Sequence, residues 1–349
     1  MTETTIFIEG DFIEDINGII FDVKGFEHPS TRVIAFPRYI PHKEGNRIRK
    51  TDNRRYVKIY DLDKRYDYLR EHLRNYIIYD PVFDMELCEV PKDNIVKHYK
   101  PYLKLKEFLH NVEKLDKVEY LALKLASTIS YEANVPLEKL GISGSIMVGL
   151  HKDNSDIDIV VYGTRESFKV ADVLKHLFEK GVLSSFSEEQ YRNLYVFRKA
   201  YETMDFKTFI RHERRKIFQG TFQGREFFIR FIGDLKDNKP YGYYRYRNIG
   251  LATIRAKVID NAYAIFTPVK YTIDCVKIIE SKTKYPIKSK ELVEVVSFRG
   301  RFCQQAFKGE NVIVRGKVEA VLRNNEISHY RVVIGGSPKD YMVCEGLLK

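Results

Sequence analysis

The 349-residue chain has no tryptophan and only four cysteines, Cys88, Cys275, Cys303 and Cys344. No two of these have C-x-x-C spacing, which excludes the common zinc-ligand and redox motifs. So few, widely spaced cysteines indicate a reducing, cytoplasmic compartment. No apolar run approaches the ~20 residues that a bilayer requires, so no membrane partner is expected. Met1–Phe7 is short, acidic and polar, without the character of a signal peptide. There is no internal repeat and no low-complexity tract, which excludes solenoids and compositional linkers.

What is present is a well-solvated globular composition, 44% hydrophobic and 31% charged. That apolar content suffices for one large core or two to three smaller ones, and excludes global disorder. The net charge is +11 and the pI about 9.2. A basic balance draws a protein toward polyanions such as nucleic acid and nucleotides. Abundant Lys, Glu, Ile and Tyr would suit a thermophile.

The first hundred residues read mostly as strand. Thr5–Ile8 and Gly18–Val23 are β-rich runs around the turn residues Asn17-Gly18. Arg32–Tyr39 and Tyr56–Tyr60 are further strands, and His42–Arg55 between them reads as a flexible, basic surface loop. Asp63–Tyr76 has helical spacing. Lys114–Asn134 is the clearest helix, with Val118, Leu121, Leu125, Ile129 and Tyr131 assigned to its apolar face. Helices are expected at Glu166–Lys180, Glu188–Tyr201 and Phe206–Arg214. Lys216–Phe222 and Arg225–Ile232 form a hairpin across Gln223-Gly224. Strand-rich segments follow Asp237, including Ala252–Val258, Tyr263–Lys270, Glu294–Phe298, Asn311–Val318 and His329–Ile334. Three regions result: an α+β module over 1–110, a central domain over 111–237, and a β-rich region over 238–349. The last suggests a small barrel or OB-like unit from about 291. The fold class is α+β.

Chemistry concentrates between Gly141 and Gly163. Asp156 and Asp158 alternate with Ile157 and Ile159, which puts the isoleucines in the core and both carboxylates on the other face of a strand. Two carboxylates so close repel each other, and a divalent cation compensates such a pair. Mg²⁺ prefers hard oxygen ligands in company with substrate phosphates. Upstream, Gly144-Ser145 lies between a short strand, Leu140–Ile142, and a helical turn. Glycine admits close approach of a ligand, and the Ser145 hydroxyl with the first helical N–H groups can hold phosphates.

Ile142-Ser143-Gly144-Ser145 followed by Asp156-Ile157-Asp158-Ile159 resembles the DNA polymerase β-like nucleotidyltransferase superfamily. The Gly149 position and Ser155-Asp156-Ile157-Asp158 look like archaeal CCA-adding enzymes and minimal nucleotidyltransferases. Gly25–Pro29 and Arg32–Ala35 also look like a group of archaeal predicted nucleotidyltransferases. The resemblance implies a mixed-sheet nucleotidyltransferase core over 111–237 and an enzyme that transfers a nucleoside monophosphate from an NTP to a hydroxyl, releasing pyrophosphate. It implies Mg²⁺ or Mn²⁺ on Asp156 and Asp158, and a triphosphate on Gly144 and Ser145. The family adds a third carboxylate from a neighbouring strand. Glu226 on Arg225–Phe231 is the candidate, with Asp205 and Asp234 as substitutes. Arg230 occupies the place where the family more often has its acid; there it would bind the nucleotide's phosphate and leave general-base chemistry open.

Nucleic acid, RNA or DNA, is the expected partner. Arg214 and Arg215 could contact a phosphate backbone or close a solvated helix end. Tyr244, Arg245, Tyr246 and Arg247 lie in the string YGYYRYR, where tyrosine can stack bases and arginine neutralise phosphates, or each can simply take one strand face. His151 lies close to the motif and could approach a substrate. Two rival functions stay open. One is a catalytically weak or inactive nucleotidyltransferase-fold protein that binds RNA or DNA. The other is an enzyme that nucleotidylates a small molecule or a protein.

Overall fold

Residues able to adopt positive φ set several of the strand pairings. The computed structural model describes residues 6–235 and 238–348. In it, β1 (Phe12–Asp15) and β2 (Ile20–Val23) form an antiparallel hairpin. Asp15 closes the turn by accepting from Asn17 N and Ile19 N at 3.0 and 2.9 Å. The expected strand at Thr5–Ile8 is not its partner. Thr5 lies outside the described residues, and Ile8 enters a turn in which Asp11 N donates to its carbonyl at 3.1 Å.

The hairpin belongs to an eight-stranded sheet with β3 (Arg32–Pro41), β4 (Arg47–Ile48), β5 (Arg55–Lys58), β6 (Ile77–Asp80), β7 (Met85–Pro91) and β8 (Ile95–Tyr99). The main path runs β4-β5-β3-β2-β1-β8. The β2–β3 pairing has one irregularity. Ile20 pairs with Tyr39 but Phe21 pairs with Pro37, so Arg38 has no opposite residue and bulges. Proline, which lacks a donor, is tolerated in a sheet at such a bulge. The expected loop at His42–Arg55 is partly folded: it carries β4, and it buries Arg49, whose guanidinium meets Glu14 at 2.8 Å and Asp52 at 2.9 Å.

Helix α1 (Leu62–His72) follows, and then α2 (Pro101–His110) and α3 (Lys117–Ala133). A reciprocal capping box of Asp116 and Glu119 starts α3. Val118, Leu121, Leu125 and Ile129 are buried, but Tyr131 is 85% exposed. Two residues beyond Ile129 is about 200° around a helix, which takes Tyr131 off the apolar stripe.

The second sheet has four strands in the order β11-β12-β10-β9: β9 (Leu140–Ile142), β10 (Ile157–Tyr162), β11 (Gln219–Phe222) and β12 (Arg225–Ile232). Gln223 and Gly224 turn β11 into β12 with φ of 49° and 77°, the pair of positive values that a two-residue hairpin takes. Strand β10 is central, antiparallel to β9 and parallel to β12. Helix α3 and α5 (Thr164–Glu179) pack on this sheet. The four-residue α4 (Gly144–Met147) joins a core cluster with Phe12, Ile20, Tyr39, Tyr56 and Tyr99 of the first sheet through Met147, and Val148 and Leu150 follow it there.

These two sheets form one compact unit, Met1–Asp80, Met85–Ser184 and Phe218–Tyr241. The boundary expected at 110 therefore divides a single core. The other expected limit, Asp237, lies outside the described residues. The second unit, Pro81–Asp84, Ser185–Ile217 and Gly242–Lys349, takes in α6 (Glu188–Phe197) and α7 (Phe206–Glu213), which the sequence-based boundaries assigned to the central domain. His212 of α7 shows why: its buried ring accepts from Cys344 N at 3.0 Å.

The sheet of the second unit holds β13 (Arg245–Asp260), β14 (Val269–Thr283), β15 (Leu292–Ser297), β16 (Asn311–Arg323), β17 (Glu326–Val333) and β18 (Tyr341–Cys344). The expected strand Tyr263–Lys270 is shorter at its start: Ala262–Ile265 is a 3₁₀ turn and Pro268, which cannot donate to a ladder, precedes Val269. Pairing runs β13-β14-β15-β17-β16 and returns from β16 to β13, with β18 added beside β16. The protein is α+β, with seven α-helices and three sheets among the described residues. No helix among them is long and apolar enough to cross a membrane.

The Gln223-Gly224 turn offers a clean test of its backbone requirement, because nothing lies within 4 Å of a Cβ built on Gly224. Gly224→Ala should cost about 1 kcal/mol, the strain of a side chain at positive φ. Chemical denaturation of the variant beside Tyr131→Ser, which should stay within about 0.5 kcal/mol of the parent, measures the difference.

Candidate functional site

The two aspartates of the motif have different surroundings. Asp156 is exposed just before β10, while Asp158 is half-buried within it. Asp158 is held by the neighbouring strand ends. Its carbonyl accepts from Ser143 N at 2.9 Å. Its carboxyl lies against the backbone of Gly144, so closely that a Cβ there would sit 2.8 Å from Cγ of Asp158. Gly144 has φ of 64°. Both conditions demand glycine.

Alternation placed the two carboxylates on the strand face opposite Ile157 and Ile159, without saying what that face meets. The N-terminal sheet covers it at Asp158. Ser143 Oγ donates to Gly10 O at 3.0 Å, and a Cβ on Gly10 would lie 3.6 Å from Val160 and Arg230. The result is a pocket of about 60 Å³, lined chiefly by Asp158 and Arg230 from the second sheet, by Gly144 at the start of α4, and by Asp22, Arg38, Tyr39 and Lys58 from the first sheet. That volume holds roughly four to six water-sized groups, by the ~10–15 Å³ each occupies.

Charge in the pocket is mixed. Burial, and next the negative charge of Asp156, push the Asp158 carboxyl up to about 7, against the pull of Lys58, Arg230 and Arg38. Asp22 goes the other way: burial opposes it, but Lys24 at 2.6 Å and then Arg230, Arg65 and Arg38 lower it to about 2. Arg230 is ion-paired with buried Glu9. Arg38 donates at 3.5 Å to Ile59 O and lies 4.8 Å from the Tyr60 ring centre; Lys58 lies 4.4 Å from the same ring. Among the described residues neither Arg38 nor Lys58 contacts a carboxylate. Tyr39 is fully buried, and its hydroxyl has no hydrogen-bond partner among the described residues. Leaving such a group unsatisfied costs about 1–3 kcal/mol.

The remaining expected site residues are placed as follows. Ser145 is only 1% exposed and does not line the pocket, because α4 carries it with Ile146 and Met147 into the core; its hydroxyl too lacks a partner among the described residues. Glu226 is exposed and stands one residue before the pair Ile157–Phe227, as Asp156 does on the adjacent strand. Asp234 accepts from Thr164 N at 3.3 Å, near the far end of β12. In the second unit Asp205 caps α7, and Arg215 pairs with Glu310 at 2.8 Å, whereas Arg214 is exposed. Tyr246 cannot stack a base: it is buried, with Arg331 over its ring at 3.7 Å and Phe83 stacked at 5.5 Å. Alternation along β13 turns it inward. Arg247 is held by Pro81 O at 2.9 Å, while Tyr244 is half-exposed and Arg245 exposed.

A second group of ligating atoms lies in the first unit. One from each of Asp116, Glu119 and His151 fall within 4.8 Å of one another, a set that could hold a metal ion. His151 meets Asp116 at 2.8 Å, and the Lys50 ammonium contacts Asp116 and lies 3.1 Å from Glu119, so a cation already balances these acids. Sequence reading noticed His151 but not its partners, which are the capping box of α3. It also missed Asp22, Arg38, Tyr39 and Lys58. The available signal was a charged residue inside an apolar strand run, with Pro37 marking the bulge.

Fold and pocket together define an α+β protein with an acidic and basic cleft under its N-terminal sheet. The chain is 30% identical over 332 residues to MJ1086, an uncharacterized protein of Methanocaldococcus jannaschii, an alignment covering 93% of this chain and 94% of that one. The chain belongs to the family of that archaeal protein. No family model matches the chain, and no solved structure matches it.

The raised carboxyl of Asp158 gives a pH-dependent stability. The unfolded chain loses this proton near pH 4 and the folded chain only near 7, so the folded form binds more protons in that window and loses stability as pH rises through it. Asp158→Asn should therefore raise the thermal midpoint at pH 8 and leave it nearly unchanged at pH 3.5. Equal shifts at both values, in calorimetry, would contradict the assignment.

Proposed function

We propose that the protein is a metal-dependent nucleotidyltransferase of the polymerase β-like class, transferring a nucleoside monophosphate from an NTP to a hydroxyl on nucleic acid and releasing pyrophosphate. The observation that carries this reading is the joint position of Gly144 and Asp158, with the glycine backbone and the carboxyl of the Asp-x-Asp strand forming one wall of a pocket that also presents cations. Asp156 and Asp158 supply hard oxygen donors whose mutual repulsion a divalent cation would relieve, which fits Mg²⁺ or Mn²⁺. Such a cation, when bound, draws charge from the reacting phosphate and stabilises the attacking and leaving oxygens. In the transfer, the acceptor oxygen bonds to the α-phosphorus, the bond to the bridging oxygen breaks, and the hydroxyl proton passes to a carboxylate, for which Glu226 beside Asp156 is the candidate. Arg230, which lines the pocket, neutralises phosphate charge.

The second unit supports the choice of acceptor. Its circuit β13-β14-β15-β17-β16 back to β13, with β15 and β17 parallel, fits an OB-like barrel, an architecture used for oligonucleotides. Tyr243 and Tyr244 pack edge to face with Arg323 5.3 Å from Tyr243, and Arg245 is exposed beside them.

The test incubates each labelled NTP with Mg²⁺ or Mn²⁺ against tRNA, single-stranded RNA, primed DNA and the protein itself. Label should transfer to a nucleic acid, and the double variant Asp156→Ala, Asp158→Ala should lose transfer by at least 10³-fold, as expected when charge stabilisation at the reacting phosphate is removed, while still melting cooperatively. Undiminished transfer by that variant would sink the reading; label on the protein alone would replace the acceptor.

A further inference from the structure

We infer that Arg38, Tyr39 and Lys58 form a polyphosphate-binding subsite, built on the N-terminal sheet and facing Asp158. The inference rests on the transferase reading for its biological use, since an NTP tail is the substrate group it would hold, but its physical basis is separate. Three observations converge on one pocket wall. The first is the bulge at Pro37-Arg38, which leaves Arg38 without an opposite residue on β2 and sets it with Tyr39 along the pocket. Bulges re-aim side chains in this way beside binding sites. Lys58 is the cross-strand partner of Tyr39, so the two share a face.

The second is cationic charge without a salt-bridge partner. Arg38 and Lys58 line the cavity without contacting a carboxylate among the described residues, whereas Arg230 is matched by Glu9, and Asp22 by Lys24. Of the two acids of the pocket, Asp22 is already paired with Lys24 at 2.6 Å. The third is the Tyr39 hydroxyl, fully buried and without a partner among the described residues. Lys58, Arg38 and Asp158 are among the charges that act on it. A hydroxyl donor beside two cations is complementary to a phosphate oxygen.

The experiment is calorimetric titration of the full chain, in EDTA, with inorganic phosphate, pyrophosphate and tripolyphosphate, and in a separate arm with a 20-nucleotide single strand. Polyphosphate should bind, tripolyphosphate most tightly. Arg38→Ala and Lys58→Ala should each weaken it at least tenfold. Tyr39→Phe should weaken it about fivefold without lowering the thermal midpoint, an effect that a purely packing role for the ring would not produce. Lys282→Ala, an exposed cation of the second unit, should leave binding unchanged. Wild-type affinity in the Arg38→Ala, Lys58→Ala double variant, or equal loss in Lys282→Ala, would overturn the subsite. So would an oligonucleotide that displaces tripolyphosphate, because the ligand would then be a nucleic-acid backbone. Tripolyphosphate bound through Arg38 and Lys58 with no NTP turned over would leave the subsite standing and remove the transferase reading. Turnover unaffected by the two substitutions would do the reverse.

Discussion

The carboxyl of Asp158 rests against the backbone of Gly144, and it can do so only because position 144 has no Cβ. Much of the first unit is arranged around that approach. It fixes where β9 ends and α4 begins, since Ser143 N bonds to the Asp158 carbonyl and Gly144 must then turn away with φ of 64°. The tight turn carries Met147 and Val148 into the aromatic cluster of Phe12, Tyr39, Tyr56 and Tyr99. The same residues that place Asp158 therefore also dock the N-terminal sheet over it. A side chain at 144 would press on the carboxyl, the turn and the inter-sheet core together.

Covering a carboxylate changes its chemistry. On the open side of the motif, Asp156 is exposed to water; two residues on, Asp158 is desolvated and feels Asp156 as a like charge. Fold stability and site function pull in opposite directions here, because the ionised form that could ligate a cation is the form that folding disfavours. The N-terminal sheet supplies the offsetting charge through Arg38 and Lys58. Their cost is smaller than that of a buried carboxylate, since each lays its cation over the Tyr60 ring. Glu9 holds Arg230, and Arg230 in turn helps to keep Asp22 ionised. The pocket is thus a network in which no charge can be assigned to one sheet alone.

Local elements were readable because short-range physics decides them. Alternation over Ile157–Tyr162 predicted β10, the capping pair Asp116 and Glu119 starts the helix foreseen from its apolar stripe, and Gln223-Gly224 has the two positive φ values its composition suggested. The misreadings have physical causes as well. Tyr131 was placed on a stripe that helical geometry rotates it away from. Tyr246 was taken as an exposed base-stacking ring, but a strand that contributes to a core must bury alternate residues whatever their polarity at one end. Residues 185–217 were joined to the central domain by adjacency in sequence, whereas α7 buries His212 against Cys344, 132 residues further on.

The sequence by itself determined the Gly144 turn, the paired aspartates of β10, the hairpin of β12 and the α+β class, because each depends on neighbours within a few residues. It did not determine what faces Asp158. That position is filled from β2, β3 and β5, a hundred or more residues earlier, through a bulge that leaves only Pro37 as its trace. Only the tertiary structure could bring Arg38, Tyr39 and Lys58 to Asp158, since burial of the aromatic cluster, and not any local pattern of charge, decides which faces of the two sheets meet.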